Sequence, residues 1–157
     1  MTVFHHRRLP HYHAVGQPTF LTWRLHCSLP AHRPFPAELT AGQAFLALDH
    51  LLDHASTGPL FLSQPAIART VAEAILYRER PLQHYELHAW VVMPNHVHLL
   101  VTPLIPVSKL LQSLKRFTAT EANRLLGEAD NRSGKRKATT VWSAIHRSFS
   151  GFSITSK

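Results

Sequence analysis

The spacing of apolar positions changes several times along the chain, and each change marks an element. Thr19 to His26, TFLTWRLH, is β-branched and aromatic between Pro18 and Pro30, which predicts a first strand. Ser28 to Pro36 is a proline-rich loop. Thr40 and Gln43 then make a capping box ahead of a helical stripe of Ala44, Phe45, Leu48, Leu51 and Leu52 that runs to about His54. Gly58-Pro59 ends that unit. Ser63 is expected to cap a second helix with Pro65 in its first turn; Ile67, Val71 and Ile75 form its buried side, and Arg78 and Arg80 suit its negative end before Pro81 stops it. Both helices read as core packing. Pro106 and Val107 open a long helix that ends near Gly127, with Val107, Leu110, Leu114, Phe117 and Leu125 as its buried stripe.

Between the second and third helices lies Glu86 to Thr102, ELHAWVVMPNHVHLLVT. Pro94-Asn95 reverses the chain, because proline fixes φ and asparagine tolerates unusual backbone angles, so the flanking apolar runs predict a β-hairpin. Side chains alternate along a strand, which puts His96 and His98 on one face and Val97, Leu99 and Val101 on the other. Two neutral imidazoles about 7 Å apart on one strand face can converge on a divalent ion. In a chain with thirteen histidines such a pair also reads as two ordinary half-buried residues. A two-residue loop pairs Met93 with His96 and gives Val91 and Ala89 the histidine face. A three-residue loop pairs Val92 with His96 and gives that face Trp90, His88 and Glu86. The second register fits the hydrophobic pattern better, and makes His88 and Glu86 candidate supporting groups or a third ligand.

Length and composition suit one compact domain: 157 residues, 17 Lys and Arg against 9 Asp and Glu, and a net charge of +8. So basic a surface points to a polyanionic partner, although a basic surface without a partner satisfies the same count. Cys27 is the only cysteine, which excludes an intrachain disulfide and a cysteine-based zinc site and suits a reducing compartment. No run is long enough for a membrane span and Met1 to Pro10 lacks an apolar signal core, so a cytoplasmic protein without a membrane partner is expected. Residues 1–17, with His5, His6, His11 and His13 beside Arg7 and Arg8, read as a basic arm. Residues 18–127 read as the domain and 128–157 as a basic, divergent and flexible tail without trustworthy periodicity. Candidate nucleic-acid contacts are Arg24 on the first strand and Lys109, Gln112, Lys115, Arg116, Asn123 and Arg124 on the long helix, each of which also reads as an edge or solvated-face residue.

The run Met93 to Val101, MPNHVHLLV, resembles the signature of HUH single-strand endonucleases, specifically the single-tyrosine transposases of insertion sequences and the REP-associated tyrosine transposases. The likeness covers about Pro18 to Gly127. With strand, helices, hairpin and helix in that order, it implies an α+β, ferredoxin-like β-α-β-β-α sheet with helices on one face, an inserted helix, and the other face open. It also implies Mg or Mn on His96 and His98, single-stranded or hairpin DNA as partner, and a homodimer. In that family the ion polarises a scissile phosphate while a downstream tyrosine attacks phosphorus. Tyr12, Tyr77 and Tyr85 all precede His96, so the expected nucleophile is missing and no catalytic residue is assigned. The last thirty residues look like a shifted reading frame or a divergent tail. Three functions follow: a catalytically incomplete transposase-family DNA-processing domain, a non-catalytic DNA-binding regulator derived from that family, or a metal-dependent hydrolase using water. The third is disfavoured because Glu86 is the only carboxylate expected near the pair.

Overall fold

The computed structural model describes residues 15–29, 40–55, 58–127 and 142–145. Their elements are β1 (Thr19–Leu25), α1 (Ala41–Asp53), a 3-10 turn (Phe61–Ser63), α2 (Pro65–Glu79), β2 (Tyr85–Val92), β3 (His96–Pro103), α3 (Val107–Leu125) and β4 (Trp142–Ile145). The strands pair antiparallel in the order β2-β3-β1-β4. This is the expected α+β arrangement, consistent with a ferredoxin-like fold, with α1 as the inserted helix. The sheet extends past Gly127: β4 pairs with β1 from Thr22↔Ile145 to Leu25↔Trp142, within the stretch expected to be tail. The arm at 1–14 lies outside the described residues. Among the described residues no helix is long and apolar enough to cross a membrane.

One face of the sheet carries the main core. Alternation along β1 and β3 buries Leu21, Trp23, Leu25, Val97, Leu99 and Val101 to 1 % exposure or less, against Ile67, Val71 and Ile75 of α2 and Leu110 and Leu114 of α3. Phe117 and Leu125, expected in the α3 stripe, are instead exposed. Arg78 stands in the last turn of α2, as expected. It is buried, donating to Ser113 Oγ at 3.0 Å, Ser113 O at 2.9 Å and Ala74 O at 3.0 Å, so it ties α2 to α3. The fork of guanidinium donors satisfies three acceptors at once, which a lysine there would not. Gln64, not Ser63, stands at the N-cap of α2, while Ser63 Oγ donates to Leu60 O inside the preceding turn.

The hairpin has the two-residue loop, which overturns the three-residue register. Met93 N donates to His96 O at 2.8 Å and Val92 pairs with Val97, so Val91 sits beside His98. Tertiary contacts decide the turn: Asn95 is buried, its amide donates to Leu52 O at 2.8 Å, and its own carbonyl accepts from Leu25 N. A bulge between Leu87 and Ala89 then restores the facing pattern, with Leu87 opposite Val101 and Glu86 opposite Thr102. The alternation of apolar residues pointed to the wrong register because this extra residue is invisible in it.

The inserted helix lies on the histidine side of the sheet, the face expected to be open. The expected capping box is formed by Thr40 and Gln43, and Leu48 and Leu52 bury themselves with Leu29 rather than in the main core. Phe45 meets Phe20 edge-on at 5.4 Å and approaches the His98 ring at 6.5 Å. The chain returning from α1 passes close to the end of β1 at Gly58, whose φ is +98° and where a Cβ would stand 2.8 Å from Cys27 O. Any other residue would be both strained and obstructed there.

Candidate metal centre

Two elements bring three side chains to one point. β3 supplies His96 and His98 from the same face by simple alternation, and α1, packed over that face, supplies Asp49. His96 Nε2 and His98 Nε2 are 3.0 Å apart, Asp49 Oδ1 is 2.9 Å from the latter and 3.8 Å from the former, and all three lie within 4.8 Å of one another. Donors at right angles around an ion ~2.1 Å from each stand ~3.0 Å apart, so these separations suit one face of an octahedron. Two imidazoles and one carboxylate are a donor set used for divalent transition ions.

The surrounding hydrogen bonds prepare the donors. Asn95 gives its amide hydrogens to Leu52 O, which leaves its Oδ1 facing His96 Nδ1 at 2.6 Å. An acceptor there assigns the proton to Nδ1 and the lone pair to Nε2, which points at the site. His98 Nδ1 lies 2.8 Å from Thr22 Oγ1, whose hydroxyl can accept its proton and leave Nε2 for an ion. Burial, followed by the neighbouring His98, pushes the His96 pKa down to about 4, with Asp53 pulling the other way; the ring is neutral and ready to coordinate near pH 7. Asp49 Oδ1 is buried without an aligned hydrogen-bond donor among the described residues, even though His98 Nε2 is near. A buried carboxylate oxygen so placed is costly unless a cation faces it.

Asp53, one turn along α1 from Asp49, completes the acidic side. Its Oδ1 is 3.7 Å from His96 Nε2, and its side chain is 41 % exposed against 0 % for His96. The two aspartates overturn the expectation that only Glu86 lies near the pair. The sequence does carry a trace of them: Phe45, Asp49 and Asp53 form one i, i+4 row, so the apolar side of α1 runs into two carboxylates.

The remaining candidates are dispersed. Glu86 and His88 belong to the far end of β2, where Glu86 pairs with Thr102 and His88 Nε2 bonds Thr102 Oγ1 at 2.7 Å, so neither joins the Asp49, His96 and His98 cluster. Arg24 pairs across the strands with His96 but is buried, donating to Leu25 O and Ser28 Oγ, which removes it as a surface phosphate contact. On α3, Lys109, Gln112, Arg116 and Arg124 are exposed, Asn123 and Lys115 half-buried. Burial pushes the Lys115 ammonium down to about 8, which weakens it as a phosphate ligand. Arg124 pairs with Glu121 at 2.9 Å. α3 packs on the core face, so the structure does not unite this basic helix with the histidine face. Tyr85 is buried and donates to Ile75 O at 2.7 Å, and Tyr77 is exposed on α2. Neither helix-side tyrosine reaches the histidines, while Tyr12 lies outside the described residues. No protein-family model, curated protein or solved structure matches this chain.

Proposed function

We propose that this is a metal-dependent domain of the HUH transposase type that binds single-stranded or hairpin DNA, and in which no tyrosine among the described residues reaches the metal centre. The observation that carries the reading is the convergence of His96 Nε2, His98 Nε2 and Asp49 Oδ1 on the strand that follows Met93-Pro94-Asn95. A divalent ion bound there would supply charge for a phosphodiester oxygen. His96 and His98 hold it with neutral nitrogens, Asp49 adds one negative charge, and Asn95 and Thr22 hold the rings in place. The net charge of +8 supplies general attraction for the DNA backbone. A family regulator that binds without cutting shares this site.

A second reading rests on Asp53. A carboxylate on the open side of the site is placed to accept a proton from water, which would make the protein a metal-dependent phosphodiesterase. End-labelled hairpin DNA incubated with Mn and run on native and denaturing gels tests both. The expected result is a metal-dependent native shift without a covalent band. Cleavage without a covalent band, lost in Asp53→Asn, favours the hydrolase. A covalent band abolished by Tyr12→Phe gives the upstream tyrosine the role of nucleophile, and absence of any shift refutes DNA binding.

A further inference from the structure

Beside His98 the histidine face opens into a shallow cleft of about 140 Å³ towards β2, the edge strand of the sheet. Leu100 and the edge residues Ala89 and Val91 share this face with His98, because Ala89 pairs with Leu100 and Val91 with His98. Phe20, opposite Leu100 on β1, stands over the cleft with its ring 5.2 Å from His98 and tilted 31° to it. Phe45 packs edge-on against Phe20 from the α1 side. Val91 is 44 % exposed and Ala89 is also exposed. These apolar side chains line a cleft directly beside a polar cluster.

We infer that this apolar platform of Phe20, Ala89, Val91 and Leu100 seats one unpaired nucleobase, that of the nucleotide whose phosphate meets the metal centre. The inference rests on the proposed function and adds the part of the substrate that is recognised. The cleft is smaller than an ordinary ligand pocket of roughly 300–1,000 Å³, so it takes a single flat ring system. Its occupant needs an apolar face for the aliphatic floor and an anionic group close by for the ion, and a nucleotide carries both. Within a duplex the base faces are covered by stacking, so only a splayed base fits. His98 is the single ionisable lining group, and its nitrogens are engaged by Thr22 and the metal centre. Recognition by stacking and shape, without hydrogen bonds to base edges, tolerates any of the four bases.

Fluorescence anisotropy with Mn present compares a labelled single-stranded oligonucleotide with an abasic strand of the same length. The wild type should bind the abasic strand roughly five- to a hundredfold more weakly, the range expected for loss of a stacked base. Val91→Ser and Phe20→Leu should erase most of that ratio by weakening the base-containing strand alone, while Mn affinity read by electron paramagnetic resonance stays unchanged and reports an intact fold. Equal binding of the two strands by the wild type, or a ratio untouched in Val91→Ser, overturns the platform while leaving DNA binding in place. Failure to bind either strand overturns the proposed function itself. A dimer that becomes a monomer in Val91→Ser with the base ratio retained assigns the surface to a second copy of the chain instead.

Discussion

Replacing Asp49 by asparagine should reverse its effect on stability according to whether metal is present. Asp49 Oδ1 is buried, unbonded and within 3.8 Å of two Nε2 atoms. Without metal, the substitution removes a buried negative charge and adds an N–H that can face those lone pairs. The protein should lose no stability and gain up to about 1 kcal/mol. With metal at a hundredfold excess over Kd, the wild type should gain about 2.7 kcal/mol by linkage, which for a chain of this size raises Tm by roughly 5–10 °C. Loss of even a supporting partner commonly weakens a metal site roughly 10- to 100-fold, and loss of a ligand should do at least that. At the same metal concentration the linkage gain then falls to about 0.4–1.4 kcal/mol. Thermal unfolding of both proteins across a Mn titration, after treatment with chelator, measures these terms. Thirteen histidines invite adventitious binding, so His50→Ala with His54→Ala, a stacked pair at the C-terminal end of α1, serves as control and should leave the metal-dependent rise in Tm unchanged. An Asp49→Asn protein that keeps the full metal-dependent rise in Tm refutes Asp49 as a ligand.

Other predictions follow from individual residues. His96 is held neutral with its pKa near 4, so between pH 6.5 and 4 the unfolded chain binds a proton that the folded chain refuses; the stability present above pH 6.5 should fall by up to about 3 kcal/mol on acidification. Urea titrations of metal-free protein at pH 4, 5, 6 and 7 measure the slope, which His96→Gln should reduce. Lys109→Ala with Arg116→Ala removes two exposed cations of α3 and should lower the slope of log K against log salt by about 2 if that helix lies on DNA. An unchanged slope would place the DNA on the histidine face alone. Arg78→Met leaves Ser113 O and Ala74 O without their buried donor and should destabilise the fold by about 2–4 kcal/mol in chemical unfolding, with Mn affinity unchanged because the site lies on the other face.

Local rules settled a large part of this molecule. Alternation alone placed His96 and His98 together and Val97, Leu99 and Val101 in the core; the Thr40–Gln43 box and the stripes of Ile67, Val71, Ile75, Leu110 and Leu114 were equally direct, since period and capping depend on near neighbours. What needed the tertiary structure was everything set by contacts distant in sequence. The hairpin register followed from Asn95 reaching Leu52 and from the bulge at His88, neither of which leaves a mark in the hydrophobic pattern. The pairing of β4 with β1 lay in a stretch whose composition predicted no strand. Above all, the side of the sheet taken by α1 decided whether Asp49 was a solvated helix residue or the third donor, because its partners are 47 and 49 positions away and their meeting depends on how the helix crosses the strands. The same fold separated the basic α3 from the histidines that sequence had linked to it: charge and spacing give a residue its chemistry, whereas the packing of layers determines which residues act together.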